Sequence, residues 1–314
     1  MANNVDKNFT EGLATRVLGS FEDKRILSKN VNTQLLSGVF NPSSGDTYNF
    51  KRAADFVTSR TGDGDISGGS ASPIIRGTAF GKVQDYITVE LEIPEAEQAL
   101  KMGKDENEFF DSAAMQIVTD LEVDFAGFMM RNTALLAGAP GTAVDAWEDV
   151  AEAGAVATAN GVPKDGNLCY MVNPYVQGIL AGLTRTMGAD DPTVSQAHKE
   201  ATLSNSFARM KVISGTTLST YTTSAGADKA GIVASTPVLT YLGAKDTMTQ
   251  IIPVSGFSNN MVIKAGEQIS IAGRNRLNHS TRQPVVNAAG AVVVWTGTVT
   301  ADVTLNGSGV GSLV

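Results

Sequence analysis

Charge, thiol and imidazole are all scarce in this 314-residue chain. Charged residues make up 18% of it, with one cysteine, two histidines and two tryptophans. A lone cysteine, Cys169, excludes a disulfide within the chain. It lies in the apolar run Leu168 to Val172, where a thiol is expected to behave as a small buried hydrophobe. His198 and His279 are far apart in sequence, so no zinc-ligand spacing arises from them. The formal net charge of −8 lacks the surplus of Lys and Arg that releases phosphate counterions, which argues against direct nucleic-acid binding. No run approaches the roughly 18 uninterrupted apolar residues of a membrane span, and the first residues lack a signal peptide's apolar stretch. Folding in a reducing cytoplasm follows as the expectation.

Motifs that would announce chemistry are missing as well. The chain has no Gly-x-Ser-x-Gly elbow, no phosphate-binding Gly-x-x-x-x-Gly-Lys-Ser/Thr loop and no dinucleotide fingerprint. Asp63-Gly64-Asp65-Ile66-Ser67-Gly68 starts like a calcium loop, yet position twelve is Ile74 where a bidentate Glu is required. The two aspartates read instead as solvating a flexible turn. Asp120, Glu122 and Asp124 alternate along a predicted helix and so point in different directions, which suits a solvated or subunit-facing stripe better than a paired acid and base. Arg274, Arg276, His279 and Arg282 form one basic cluster, expected as an exposed intersubunit charge patch, with a phosphate site as the alternative. No catalytic, cofactor or metal site is expected, and the chain does not read as an enzyme.

What the chain does contain is apolar residues (42%) and 32 glycines, which at this length suit two compact, turn-rich units. Residues 9 to 31 carry apolar side chains at helical spacing and read as a short helical arm. Thr47 to Arg52 and Ile74 to Ile93 read as strands on either side of a glycine-rich tip, an extended hairpin with little core of its own. From Asp105 to about Leu136, apolar residues recur every third or fourth position, predicting one helix of about thirty residues, roughly 45 Å. Asp145 with Glu148 has the spacing of a capping box, and Trp147, Val150, Ala151 and Ala157 supply an apolar face behind it. A strand at Leu168 to Val172 precedes Asn173-Pro174, which suits the cap and first turn of a helix over Tyr175 to Leu183. Past Ser214, Thr, Ser, Gly and Val dominate. Strands are predicted at Pro237 to Tyr241, Met261 to Lys264, Gln268 to Ile271, Val292 to Trp295 and Val299 to Leu305, with another opening at Ser312 to Val314, in a small barrel or sandwich.

Met102-Gly103-Lys104-Asp105-Glu106-Asn107-Glu108-Phe109-Phe110, then Asp145-Ala146-Trp147, then Asn173-Pro174, then Lys264 to Gly273 occur in the order in which similar segments occur in the coat proteins of P-twenty-two-like short-tailed phages. The chain resembles that family over residues 80 to about 275. The resemblance implies an α+β, Hong Kong 97-type capsid fold: N-terminal arm 1–40, extended loop 41–93, peripheral domain with a spine helix 94–136, axial α/β domain 137–216, and an inserted all-β barrel domain 217–314. It further implies a major capsid subunit that assembles as hexamers and pentamers with a scaffolding protein and a portal protein. Such a shell is built in the bacterial host cytoplasm, encloses DNA without sequence-specific binding and contacts no membrane. Tyr48, Phe50, Arg52, Asp63 and Asp65 of the extended loop, with Arg274, Arg276 and Arg282, are the expected subunit-interface residues. The stretch around Gly243-Ala244-Lys245-Asp246 is shorter and less charged than the family's intercapsomer loop. No segment returns from the inserted domain to finish the axial domain, so a partial chain is expected. A phage tail or surface-binding protein with a β recognition module is the alternative.

Overall fold

A computed structural model describes residues 19, 24–31, 47–52, 54, 56, 60–67, 74–82, 87–90, 102–163, 168–185, 200, 203, 207–218, 220–226, 229–238 and 241–314, with backbone alone for 102–110, 185, 241 and 242. Its main elements in chain order are β1 Thr47–Lys51, β2 Thr78–Lys82, α1 Met102–Asn132, α2 Trp147–Ala159, β3 Cys169–Val172, α3 Pro174–Arg185, β4 Lys211–Ser214, β5 Ile232–Val233, α4 Tyr241–Ala244, β6 Ile252–Ser255, β7 Val262–Ile263, β8 Gln268–Asn275, β9 Val294–Thr298, β10 Val303–Thr304 and β11 Gly311–Leu313. The architecture mixes helix and sheet. The chain divides into two compact units: Met1–Thr33, Ile87–Thr222 and Gln268–Thr298 form one, and Gln34–Tyr86, Thr223–Glu267 and Val299–Val314 the other. Each unit draws on several of the five segments expected above.

In the first unit the 31 residues of α1 span about 46 Å at 1.5 Å per residue. The helix begins three residues before the expected start and stops at Asn132, four short of Leu136. Its last turn satisfies itself, with Asn132 Nδ2 donating to the Phe128 carbonyl (2.8 Å) and Arg131 Nε to that of Gly127 (3.2 Å). Its fully buried row is Ala114, Val118, Glu122 and Ala126, one every four residues. That row sits one position beyond Ala113, Ile117, Leu121 and Phe125, which are only half-buried.

The cap of α2 differs from the expected box. Asp149, at the third helical position, accepts from the N–H groups of Ala146 (3.0 Å) and Asp145 (3.1 Å). Asp145 with Glu148 is therefore not the capping pair, because the helix starts at Trp147 and the reach-back falls to the residue three beyond Ala146. Trp147 itself stays largely exposed. At α3 the expected cap is present: Asn173 Oδ1 accepts from the Val176 N–H (2.8 Å) ahead of Pro174, whose missing N–H costs nothing in a first turn. β3 and β4 pair in parallel, Cys169 opposite Lys211 through Val172 opposite Ser214, with α3 as the crossover. Val150, Val172, Leu180, Phe207 and Met210 form the core beneath them. Cys169 is half-buried rather than buried.

The same unit holds the β8–β9 hairpin, paired from Gln268 opposite Thr298, with a bulge between Ile271 and Asn275. In the second unit β1 and β2 pair antiparallel, Thr47 opposite Lys82, as the hairpin expectation required, although β2 is only five residues long. β5, β6 and β11 form a three-stranded sheet with β6 central, and β7 pairs with β10. Ile252, Val254, Met261, Ile263, Val299, Leu305 and Leu313 are buried here. The strand expected over Pro237 to Tyr241 is not seen at its described residues: 237 and 238 are irregular and Tyr241 opens the short helix α4.

Candidate functional site

Neither unit offers a built catalytic centre among its described residues. No group of three or more His, Cys, Asp or Glu gathers there. Among the described residues, a shallow concavity of about 470 Å³ is lined by Ser224, Asn259, Asn260 and Lys264, and a second of about 430 Å³ by residues 135–144 with Asp149 and Tyr170. In the second, burial pushes the Tyr170 hydroxyl up and the Asp149 carboxylate adds to the shift, while that carboxylate is already held by two backbone N–H groups. The functional question is therefore one of surfaces and of the struts that hold them.

The first surface is the β1–β2 hairpin. Tyr48 and Phe50 lie two apart on β1, hence on one face, with ring centroids 4.8 Å apart in an edge-to-face pair. Phe50 covers Gly81 of the partner strand. Phe80 stands on the opposite face, and both Tyr48 and Phe80 are exposed. At the base of the hairpin, Arg52 turns inward within its own unit: its guanidinium donates to the carbonyls of Lys245 (3.0 Å) and Ala244 (3.5 Å) at the end of α4, the partial negative pole of that turn. Beside it, Asp246 Oδ1 accepts from both the N–H and the hydroxyl of Thr78 (3.1 Å each). The Lys245 ammonium on Asp246, then the Thr78 N–H, hold that carboxyl below the usual range. The Gly243 to Asp246 stretch thus clasps the chain's own hairpin.

Asp63 and Asp65 sit beyond the hairpin in successive Asx turns. Asp63 Oδ1 accepts from the Asp65 N–H (3.0 Å) and Asp65 Oδ1 from that of Ser67 (2.8 Å). The Ser67 hydroxyl and N–H hold the Asp65 carboxyl below its ordinary value. Both acids shape a turn through these bonds, beyond the solvation expected of them.

The basic cluster is not one patch. Arg274 and Arg282 are exposed, but Arg276, expected to be exposed with them, is 7% exposed. Its guanidinium donates to the carbonyl of Ala134 (3.1 Å) and to the Thr296 hydroxyl. Burial pulls its pKa down from the usual arginine value. Thr296 Oγ1 also donates to the Ala134 carbonyl (2.8 Å), while Thr298 Oγ1 and Gln268 Nε2 donate to that of Thr133. These donors take up the chain just past Asn132, which explains why α1 stops short of Gly138. Asn278 Nδ2 and the His279 N–H likewise occupy the Ala159 and Asn160 carbonyls at the end of α2 (2.8 and 3.2 Å).

Two buried carboxylates were not anticipated. Glu122, expected on a solvated stripe, is 2% exposed and accepts from the Leu27 N–H (2.6 Å), the Ser28 N–H (2.9 Å) and the Ser28 hydroxyl (2.5 Å). It fastens the short 3-10 turn Ser28–Asn30 to the middle of α1. Asp120 and Asp124 are exposed, as expected. In the second unit Glu267 accepts from the Ser224 N–H and hydroxyl (2.6 and 2.5 Å) and from Lys229 Nζ (3.0 Å). Burial alone would push its carboxyl up, but the bonds from Ser224 and Lys229 outweigh that and hold it below the usual range.

The family described as P22 coat protein, gene protein 5, matches residues 1–311. The chain belongs to the P22 coat protein family. A curated relative named major capsid protein, from Acyrthosiphon pisum secondary endosymbiont phage 1, is 32% identical over 294 residues, which cover 93% of this chain and 69% of the relative. A solved chain from Mycobacterium phage Che8 is 14% identical with a TM-score of 0.44, covering 86% of this chain and 85% of that one. As a coat protein the chain is a structural subunit of a phage capsid, a part of the virion, and its family is one of structural rather than catalytic proteins. Self-assembly follows from that role. The tail or surface-binding alternative is set aside by the family match. Among the described residues no helix is long and apolar enough to cross a membrane.

Proposed function

We propose that this coat protein builds an icosahedral head from hexamers and pentamers through a Hong Kong 97-type subunit. On this reading residues 1–40 are the N-terminal arm, 41–93 the extended loop, 94–136 the peripheral domain with α1 as spine helix, 137–216 axial-domain residues and 217–314 an inserted β-barrel domain. The observation that carries it is that the elongated elements keep apolar surface uncovered in the isolated chain. Met115, Val123 and Phe128 are exposed along α1, and Tyr48 and Phe80 on the hairpin. A two-stranded ribbon and a rod of this length cannot bury both faces alone, so neighbouring subunits supply the missing contact.

Tyr48, Phe50, Asp63, Asp65, Arg274 and Arg282 are proposed to meet neighbouring subunits. Arg52 and Arg276 would act from behind, by holding the hairpin base and the end of α1 in place. Assembly would use a scaffolding protein and a portal protein in the host cytoplasm, and the shell would enclose DNA without reading its sequence. Co-expression with a scaffold and imaging of the product tests this: closed shells of capsomers are expected, and soluble monomers alone would sink it.

A further inference from the structure

We infer that Asn306, in the turn between β10 and β11, is a site of spontaneous covalent modification. The backbone nitrogen of Gly307 attacks its side-chain amide, and the residue passes through a cyclic imide to a mixture of aspartate and isoaspartate. The chain has two Asn-Gly pairs, Asn160-Gly161 and Asn306-Gly307, and the fold treats them oppositely. The attack needs a free nucleophile, no Cβ beside it, and donors for the charge that develops on Oδ1.

Asn306 meets all three conditions. Asn306, Gly307 and Ser308 are exposed. Among the described residues nothing accepts from the Gly307 N–H or from Asn306 Nδ2. Oδ1, by contrast, accepts from the Ser308 N–H (2.9 Å) and the Val310 N–H (3.0 Å), in an Asx turn that folds the side chain back over the peptide following it. Those donors already face the oxygen that becomes negative once Cγ is tetrahedral, the arrangement that lowers the barrier in acyl transfer. The Asn306 carbonyl is fixed by the N–H groups of Gly309 (2.9 Å) and Asn260 (3.0 Å), so the turn keeps its shape.

Two other asparagines each lack a condition. The Gly161 N–H is bonded to the Thr158 carbonyl (3.0 Å) and Asn160 Nδ2 to that of Val156 (2.6 Å), while a Cβ at Gly161 would lie 3.2 Å from that of His279. Nucleophile and leaving group are both occupied there. Asn287 has the same turn without the glycine. Its Oδ1 accepts from the N–H groups of Ala289 and Ala291 (3.0 and 2.9 Å), but Ala288 sets a Cβ beside the attacking nitrogen.

In the first step the Gly307 nitrogen bonds to Asn306 Cγ, the Cγ–Nδ2 bond breaks, and the proton from Gly307 leaves with Nδ2 as ammonia. Water then opens the imide. Attack at Cγ returns a normal peptide with aspartate at 306, and attack at the main-chain carbonyl leaves the chain running through the former side chain. In that isoaspartyl form the acceptor of the Ser308 and Val310 N–H groups is lost from the turn. β11 pairs with β6, Leu313 opposite Ile252, so the sheet of the second unit loosens as the product accumulates.

The full-length subunit, incubated at mildly alkaline pH, tests this by peptide mass spectrometry and labelling with an isoaspartyl methyltransferase. In the folded subunit Asn306 should convert about tenfold or more faster than Asn160 or Asn287. In urea Asn160 should rise to the rate of Asn306 while Asn287 stays slow. Gly307 has open space around it and no positive φ, so Gly307→Ala should leave the melting temperature unchanged and cut conversion by about tenfold or more. Asn306 converting no faster than Asn160 in the folded subunit would overturn the inference. So would an Asn160 that stays slow in urea, or an undiminished rate in Gly307→Ala. None of these results bears on the coat-protein role.

Discussion

Single side chains decide how this subunit is braced, and three of them, Glu122, Arg276 and Glu267, are ionisable groups that are buried. Glu122 accepts from the Leu27 N–H and from the N–H and hydroxyl of Ser28, so Glu122→Gln should destabilise the first unit by about 2 kcal/mol, the scale of hydrogen bonds to a charged group. Denaturant melting measures that cost. Faster amide exchange at Leu27 and Ser28 would show that the lost bonds are the ones to the arm. Arg276→Met keeps the apolar stem and removes the guanidinium from Ala134 and Thr296; a loss of about 1.5–3 kcal/mol is expected in the same assay. Glu267 supplies a pH dependence of definite sign. Its folded carboxyl is held below the ordinary value, so the stability it contributes is present above the ordinary carboxylate range and is lost as pH falls through the folded pKa. Glu267→Gln should lower stability at neutral pH and flatten the acid limb of the stability profile of the second unit. An unchanged acid limb would refute the assignment.

At the level of elements, the hairpin depends on one close approach. A Cβ at Gly77 would lie 2.0 Å from the Lys245 carbonyl oxygen, which is backbone and cannot swing aside. Gly77→Ala should therefore cost about 1–3 kcal/mol by overpacking and loosen β1 and β2 from α4. Hydrogen exchange should rise in Tyr48 to Phe50 while Ile252 to Val254 in β6 stay protected. The elements themselves were largely readable from the chain because their signals are local. The cap at Asn173 and Pro174, the long repeat of α1 and the paired strands of the hairpin each declare themselves within a few residues.

The braces were unreadable for the opposite reason. Glu122 looks like its neighbours Asp120 and Asp124 because its partners are backbone N–H groups 94 and 95 residues away. Arg276 looks like Arg274 because what it holds are a carbonyl at 134 and a hydroxyl at 296. Backbone partners leave no trace in side-chain patterns. β6 escaped notice because Pro253 at its centre argues against a central strand. The strand tolerates it because the Pro253 carbonyl still accepts from Ala234 (2.8 Å).

For the whole molecule, the test is whether uncovered surface is used in the shell. Met115→Ser with Phe128→Ser alters two exposed positions of α1, so subunit stability should change by no more than about 0.5 kcal/mol per site. The yield of closed particles should nevertheless fall, read by counting shells in electron micrographs against the unmodified chain. Equal yields would mean that these two positions face solvent in the particle.

The clasp on Glu122 has a mechanical consequence. It grips α1 twenty residues from Met102, about 30 Å along a rod of some 46 Å. Load carried across the helix axis by the chain at Leu27 is therefore delivered away from both ends of the rod. It acts as a torque that swings the helix, and the first bonds to feel it are the three that meet at one carboxylate.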